Sequence, residues 1–528
     1  MKIEYSKKSV KYINSVDKRT KKRLREAALE GRKMDSYIDL KDIVTEELKH
    51  VDLDRVNVTC SPPDVEPQRQ YYFMAKCRQI VKEENERLDR SLTCSVITFG
   101  CQMNARDSEK LLGILVKAGY AVTDSEDADF VIYNTCTVRD NANQRVYGRL
   151  GHLNAMKKRN PHKKIALCGC MMQEQNVIET LKKSYSFVDL VFGTHNLYKF
   201  AELLCAMYES EGMLIDIWKD TNTIVEQLPV RPKYSYKSGV NIMFGCNNFC
   251  SYCIVPYVRG RERSRDAREI LREIESLAAD GVKEIMLLGQ NVNSYGRGLS
   301  DEISFAGLLR EVEKVDGIER IRFMTSHPKD LSDELIGVMK ESGKICRHLH
   351  LPLQSGSSRI LAAMNRRYDK DHYLALALKI RNEIPDMAIS TDIIVGFPGE
   401  TKEDVDDTID VIRKVAFDNA FTFQYSRRTG TPAAAMEQVP QAEVTRQFDR
   451  VLSAVQETAR ERAMLIEGRS LPALIEEVNE KDASLVIGRL SNNMIVHLKG
   501  TPEMIGTIRT VRLTECRGFY YMGEMEHG

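Results

Sequence analysis

No apolar run in this chain approaches the ~20 residues that a membrane span needs. The opening stretch, MKIEYSKKSVKYINSVDKRTKKRLRE, has no apolar segment of the kind that marks a secretory signal, and it carries acids, unlike a transit sequence. Both absences lead to the expectation of a cytoplasmic protein with no membrane partner. Net charge is nearly lacking too: 77 Lys and Arg stand against 76 Asp and Glu, leaving +1 over 528 residues. No global field therefore draws in nucleic acid. There is no internal repeat of solenoid length, which excludes stacked-repeat architectures. A chain this long exceeds one ordinary core, so three or four domains are expected.

Basic charge and cysteine are present, but unevenly. Residues 1–35 hold 12 Lys and Arg against 5 Asp and Glu, a local +7. A solvated arm and an RNA-contacting arm both fit that stretch. Thirteen cysteines are many for a reducing cytosol, where clustered thiols bind metals or act in catalysis rather than pairing. Which of them cluster becomes the central question.

Residues 1–91 are charged and poor in apolar periodicity; SPPDVEP (61–67) reads as a linker, and a helix near 71–90 leads onward. Over 92–225, SVITFG (95–100), ADFVIYN (128–134) and KIALCG (164–169) alternate with helical segments near 106–118, 140–158 and 173–183. This alternation predicts a flavodoxin-like parallel sheet with helices on its faces. A second series fills 237–462, after the polar connector EQLPVRPKYSYK (226–237). Its strands are expected at 241–245, 283–289, 320–325, 348–353, 389–396 and 421–426, and its helices near 266–279, 304–314, 331–341, 370–383 and 402–415. Six βα units with nothing antiparallel between them predict a partial (βα)6 barrel. From 465 to 527, short strands with Gly and Asn at the turns predict a small OB-like β-barrel. The fold class is α/β.

The strongest motif is Cys246-Asn-Asn-Phe-Cys250-Ser-Tyr-Cys253. Thiolates suit iron–sulfur clusters, and a four-iron cluster has four corners. Three cysteines in one loop can hold three irons and leave the fourth open to chelate a small molecule, usually S-adenosylmethionine. A zinc knuckle is the rival, but it wants a fourth Cys or His, and none follows within the next dozen residues. A second set is dispersed: Cys101, Cys136 and Cys170 each follow a strand of the first series. Ligands bind outside the carboxyl ends of such strands, so the three are expected to converge on a second cluster. Cys168 lies one step deeper on its strand and reads as core. Cys60, Cys77, Cys94, Cys205, Cys346 and Cys516 have no spacing partner and read as ordinary thiols.

Three strand ends supply candidates for binding the nucleotide half of S-adenosylmethionine: Gln290 and Asn291 in GQNVNSYG; Gln354, Ser355 and Gly356; and Gly396, Gly399 and Glu400 in GFPGE. Arg259, Arg261, Arg263 and Arg265 alternate just after the cysteine loop, as a solvated edge or a phosphate-contacting one. The terminal segment adds Arg489, Lys499, Arg509, Arg512 and Arg517, with Phe519, Tyr520 and Tyr521 as stacking rings or core.

At these residues the sequence resembles the methylthiotransferase family of radical-SAM enzymes, from about residue 95 to 527. The resemblance implies an N-terminal methylthiotransferase domain, a radical-SAM partial barrel and a C-terminal TRAM barrel. It implies two 4Fe–4S clusters, one on Cys246, Cys250 and Cys253 and an auxiliary one on Cys101, Cys136 and Cys170. It adds Tyr252, Ser326, Arg366 and Asp392 to the cofactor-facing residues. GCQMN (100–104), LLGQNVNSYG (287–296), TSHPKDLSDELI (325–336), LPLQSGSSRIL (351–361), MNRRYD (364–369) and FQYSRRTGTPAA (423–434) are similar to the branch that modifies isopentenylated adenosine in tRNA. The implied reaction methylates a cluster-bound sulfur with one S-adenosylmethionine and uses a second to remove hydrogen from adenine C2. The implied partners are the tRNA anticodon loop, an external electron donor and a sulfur donor, with the enzyme acting as a monomer. Sister branches acting on threonylcarbamoyl-adenosine or a ribosomal-protein aspartate are the alternatives, with a non-catalytic iron–sulfur RNA-binding protein behind them.

Overall fold

The computed structural model describes residues 38–526 apart from 44, 138–139 and 301–302, so the basic arm of residues 1–35 lies outside the described residues. The first domain is a six-stranded sheet built from β1 (Thr93–Phe99), β2 (Ala121–Val122), β3 (Phe130–Thr135), β4 (Lys164–Gly169), β5 (Leu190–Phe192) and β6 (Leu214–Asp216). Every pairing is parallel and the order is β2-β1-β3-β4-β5-β6. Helices α1 (Gln68–Leu88), α2 (Gln102–Lys117), α3 (Asp140–Arg159), α4 (Gln175–Ser184) and α5 (Phe200–Glu209) cover it. The central strand β3 is buried throughout, which is why FVIYNT reads as an unbroken apolar run. Its alternate residues serve two cores: Phe130 and Ile132 pack under α1, α2 and α5, and Val131 and Tyr133 pack under α3 and α4. The order reverses between β1 and β3, which opens a crevice at their carboxyl ends.

Two expectations change here. The extension assigned to 1–91 belongs, from residue 38 onward, to this domain: Leu40, Leu48, Leu53 and Val56 are buried in one core with Tyr71 and Met74 of α1. Its apolar residues are spaced among charges, and their common face appears only once α1 docks. Cys77 of α1 and Cys205 of α5 meet in that packing, with Cα atoms 5.5 Å apart, as a disulfide pair rather than as separate thiols.

The second domain contains β7 (Lys237–Asn241), β8 (Met243–Phe244), β9 (Arg263–Ser264), β10 (Glu284–Leu288), β11 (Arg320–Phe323), β12 (His348–His350), β13 (Ala388–Val395) and β14 (Asn419–Gln424). Its helices are α6 (Val255–Arg259), α7 (Ala267–Ala279), α8 (Phe305–Glu313), α9 (Asp333–Glu341), α10 (Ser358–Ala363), α11 (Lys370–Glu383), α12 (Lys402–Val415) and α13 (Gln441–Met464). Parallel half-sheets β7-β10-β11 and β12-β13-β14 form the partial barrel. Ile321 joins the halves: its N–H donates to Lys344 O and its carbonyl accepts from Cys346 N, each at 2.9 Å. Strands β7 and β14 are the outer edges. The strand expected at 241–245 divides: Lys237–Asn241 enters the barrel, while β8 turns back to pair antiparallel with β9. Gly245 makes that turn at φ 75°, where a Cβ would lie 2.0 Å from Arg261 O.

The last domain is a closed barrel, ordered β15-β16-β17-β19-β18, of β15 (Ser470–Val478), β16 (Leu485–Leu490), β17 (Ile495–Lys499), β18 (Ile508–Cys516) and β19 (Tyr520–Met525). It docks on the amino ends of β7, β10 and β11, opposite the cysteine loops. Arg320 donates to Arg489 O at 2.9 Å, and Arg322 to Leu490 O at 2.8 Å. Among the described residues no helix is long and apolar enough to cross a membrane.

Candidate metal centre

Cys101 precedes α2, Cys136 follows β3, and Cys170 follows β4. These three strand ends share the crevice of the first sheet. Burial, opposed by Arg259 and reinforced by Cys136 and Cys101, holds the Cys170 thiol up at about 11. The mutual influence shows that the three sulfurs share one neighbourhood. The Cys101 thiol donates to Asn104 Oδ1 at 3.1 Å, and Asn104 Nδ2 donates to Asn134 Oδ1 at 3.0 Å, which ties the first strand end to the second. Cys168 is fully buried in the opposite core with Ala166 and Phe192.

In the second domain, Cys246 and Cys250 are buried and Cys253 is half-buried. Burial, with Cys250 and Cys246 beside it, pushes the Cys253 thiol up to about 12. Among the described residues, no three Cys, His, Asp or Glu side chains stand close enough to hold a single metal ion. A cuboidal cluster puts each thiolate on a different iron, so it asks for a more widely spread set. The arrangement fits such a cluster in charge as well. Each cysteine set has a buried guanidinium donating to one sulfur: Arg366 Nη1 to Cys250 at 3.5 Å, and Arg259 Nε to Cys170 at 3.2 Å. Thiolates bound to iron are anionic, and these cations offset that charge.

Sequence reasoning missed the role of Arg259. It places Arg259 on an arginine edge with Arg261, Arg263 and Arg265, but three of the four turn inward. Arg259 is 6% exposed and pairs with Asp107 at 3.0 Å across the domain seam. Arg263 donates to Thr221 O at 2.6 Å, and Arg265 pairs with Glu226 at 2.6 Å and Glu273 at 2.7 Å. Only Arg261 of the four is exposed, lying 4.3 Å over the Phe249 ring. The tight turn at Gly245, invisible as periodicity, sets these directions.

The rim residues divide by what their polar atoms do. Ser326 Oγ and Gln290 Oε1 are buried without a hydrogen-bond partner, as is His327 Nε2 beside them. Unpaired groups of this kind are costly unless a ligand satisfies them, so these atoms fit an amino-acid or ribose group of S-adenosylmethionine. Gln290 Nε2 also touches Met103 Sδ, which brings GCQMN and GQNVNSYG together across the seam. Tyr252 lies within 3.5 Å of Arg366, beside Cys250. Asp392 faces His350 inside the barrel at 3.4 Å. Glu400 Oε2 accepts from Gly396 N at 2.5 Å, and burial lifts its carboxyl to about 7. Gly399 has open space at its Cα.

Other rim residues are engaged in the framework. Asn291 donates to Asp330 at 2.7 Å and accepts from His327 N at 3.2 Å. Gln354 bridges to β13 through its backbone, and the Ser355 hydroxyl accepts from Ser357 N. Gly356 and Gly396 are small for packing: a Cβ would meet Thr408 Cα at 2.4 Å in the first and Val444 at 2.6 Å in the second.

In the last domain, Arg489 is taken by Glu476 at 3.0 Å and Tyr521 is core, donating to Ala463 O. Phe519 is 74% exposed, and Tyr520 sits at the surface against His497, with ring centroids 4.7 Å apart.

Comparison with known proteins gives three family matches: the Radical SAM superfamily over residues 240–412, "Uncharacterized protein family UPF0004" over 93–193, and the TRAM domain over 465–525. The tRNA-2-methylthio-N(6)-dimethylallyladenosine synthase of Lachnoclostridium phytofermentans is 60% identical over 453 residues, covering 86% of this chain and 99% of that protein. The protein of the same name from Acetivibrio thermocellus is 49% identical over 474 residues, covering 89% of this chain and 98% of that one. Among solved structures, the radical S-adenosylmethionine methyltransferase TsrM from Kitasatospora setae has a TM-score of 0.49 at 14% identity, covering 65% of this chain and 74% of that one.

Proposed function

Because the chain belongs to the tRNA-2-methylthio-N(6)-dimethylallyladenosine synthase family, we propose that it converts N6-isopentenyladenosine on the 3′ side of the anticodon into its 2-methylthio derivative. The observation that supports this most directly is the approach of the two cysteine sets across one seam. Cys170 packs against Ile254 and Val258, immediately after the C-x3-C-x2-C loop. Adenine C2–H is neither acidic nor electrophilic, so a radical route suits it. The radical-SAM match implies a 4Fe–4S cluster and S-adenosylmethionine, which when bound would supply the one-electron chemistry such a C–H bond requires.

Cys246, Cys250 and Cys253 hold that cluster, with Arg366 balancing charge beside Cys250. Cys101, Cys136 and Cys170 would hold a second 4Fe–4S cluster, which would supply the sulfur, and Arg259 would play the matching part beside Cys170. Gln290 and Ser326 bind S-adenosylmethionine from the rim, with Tyr252, Asp392 and Glu400 nearby. Asn291, Gln354, Ser355, Gly356 and Gly396 fix the loops that carry these groups. The base is flipped from the anticodon loop into the seam, where unstacking costs least. An external electron donor and a sulfur donor serve the enzyme, which works as a single chain.

The test is to offer the anaerobically reconstituted protein three tRNAs that carry isopentenyl, threonylcarbamoyl or no group on that adenosine. Methylthio product is expected only from the first. Preferential reaction with the second moves the chain to a sister branch, and release of no 5′-deoxyadenosine with any of them refutes the enzyme reading.

A further inference from the structure

Strand β14 is an outer edge of the partial barrel, and it presents Phe421 at 46% exposure and Phe423 at 41%. Their direction follows from register. Phe421 pairs with Asp392 and Phe423 with Ile394 on β13, and paired residues of parallel strands share a face. Ile389, Ile393 and Val395, the alternate residues of β13, pack into the core under the helices. Asp392, Ile394 and both rings therefore face the barrel interior. Consistent with this, the Phe421 ring lies 5.9 Å from the inward His350 ring.

The column continues toward the cysteine loop. Tyr425 N extends the ladder to Val395 O at 2.8 Å. Its ring lies 5.7 Å from Phe397 of the GFPGE loop, in one cluster with Tyr252. Arg427 and Arg428 lie within electrostatic reach of the Tyr425 hydroxyl. An apolar strip thus leads from the open edge to the radical centre, with cations at its rim. Its polar neighbour on β13 is Asp392, which repels a carboxylate and tolerates a hydrocarbon.

We propose that Phe421 and Phe423 receive the N6-isopentenyl group of the substrate base and so set the choice of hypermodified adenosine. The inference rests on the tRNA reading above. A threonylcarbamoyl group brings a carboxylate that wants a cation in its pocket; the inward residues paired with these rings, Asp392 and Ile394, offer none, His350 beside Phe421 is already engaged by Asp392 at 3.4 Å, and Arg427 and Arg428 stand farther along, beside Tyr425.

The experiment measures affinity of the reconstituted holoenzyme for one tRNA with and without the isopentenyl group, together with methylthio product and tRNA-independent release of 5′-deoxyadenosine. The wild-type protein should prefer the isopentenylated tRNA by roughly a hundredfold or more, from burial of a five-carbon group. The double variant F421A/F423A should lose this preference while its affinity for unmodified tRNA and its iron content stay unchanged. Phe421→Leu, which keeps the apolar volume, should retain most of the preference and covers the case of a double variant that does not fold. Equal weakening for both tRNAs would show the rings stacking on bases and overturn the proposal. So would loss of 5′-deoxyadenosine release without tRNA, because the rings would then serve S-adenosylmethionine. Absence of methylthio product from the wild-type protein is a different failure, that of the tRNA reading itself.

Discussion

Arg259 shows how one side chain acquires meaning only in the folded chain. It leaves the second domain, crosses the seam, and is held by Asp107 while its Nε reaches Cys170. Lysine keeps the charge but lacks the fork that serves two acceptors at once. Arg259→Lys should therefore loosen Cys170 and lower iron content by up to half, measured on anaerobically reconstituted protein, while 5′-deoxyadenosine release persists. Full iron with normal product would show that the guanidinium only packs. Glu400 gives a second reading at this scale. Its carboxyl is lifted to about 7 from an ordinary 4.5 by burial, so the fold favours the protonated form. The stability this contributes is complete below pH 4.5 and is lost as pH rises through 7. The wild-type urea midpoint should therefore fall between pH 5 and 8 relative to Glu400→Gln, by at most about 3 kcal/mol in unfolding free energy. Parallel pH profiles for the two proteins would mean that Glu400 titrates normally.

At the scale of elements, sequence and structure agree best where a helix announces its own start. Lys370–Glu383 and Lys402–Val415 fall on their expected bounds, because Asp369 caps one and the Thr401–Asp404 capping box opens the other. Strand β4 agrees equally well, being a short Ile/Leu run closed by glycine. The misses have a common cause. Strands β2, β5 and β6 hold two or three residues each, too few for any period to show. Strand β7, Lys-Ser-Gly-Val-Asn, is polar in sequence and becomes a strand only by pairing with β10. The candidate site was legible at its strand ends, where cysteines recur at equivalent positions, and illegible in the seam, whose partners lie far apart in sequence. Gly356 is another such case. It reads as a ligand-facing glycine, yet a Cβ there would meet Thr408 Cα of α12 at 2.4 Å. Gly356→Ala must push α12 away from its loop, and overpacking of this kind costs about 1–3 kcal/mol. The expected result is a lower thermal midpoint with S-adenosylmethionine binding weakened through the displaced GFPGE loop; an unchanged midpoint would show that the loop yields freely.

Across the whole molecule, the terminal barrel covers one end of the partial barrel while the cysteine loops occupy the other. Its attachment is structural as well as spatial: Arg320 and Arg322 both pair with buried Glu284 at 3.0 Å and donate to carbonyls of the 489–491 turn. Cutting the chain near residue 465 would uncover these charges, so a truncated protein would confound lost RNA contact with lost stability. Surface substitution separates the two. Lys499, Arg509 and Arg512 are exposed on the barrel, whereas Arg489 is spent on Glu476. Replacing the first three by Gln should leave iron content and thermal midpoint unchanged. If each contacts a phosphate, the slope of log affinity for tRNA against log salt should become shallower by about 2, at roughly 0.7 per lost contact on single-stranded RNA. Affinity should drop most at low salt, and the preference for the isopentenylated tRNA should persist, because phosphate contacts position the RNA and do not read the base. An unchanged slope would remove the terminal barrel from the RNA-binding surface and leave Arg261, Arg427 and the basic arm of residues 1–35 to supply the phosphate contacts.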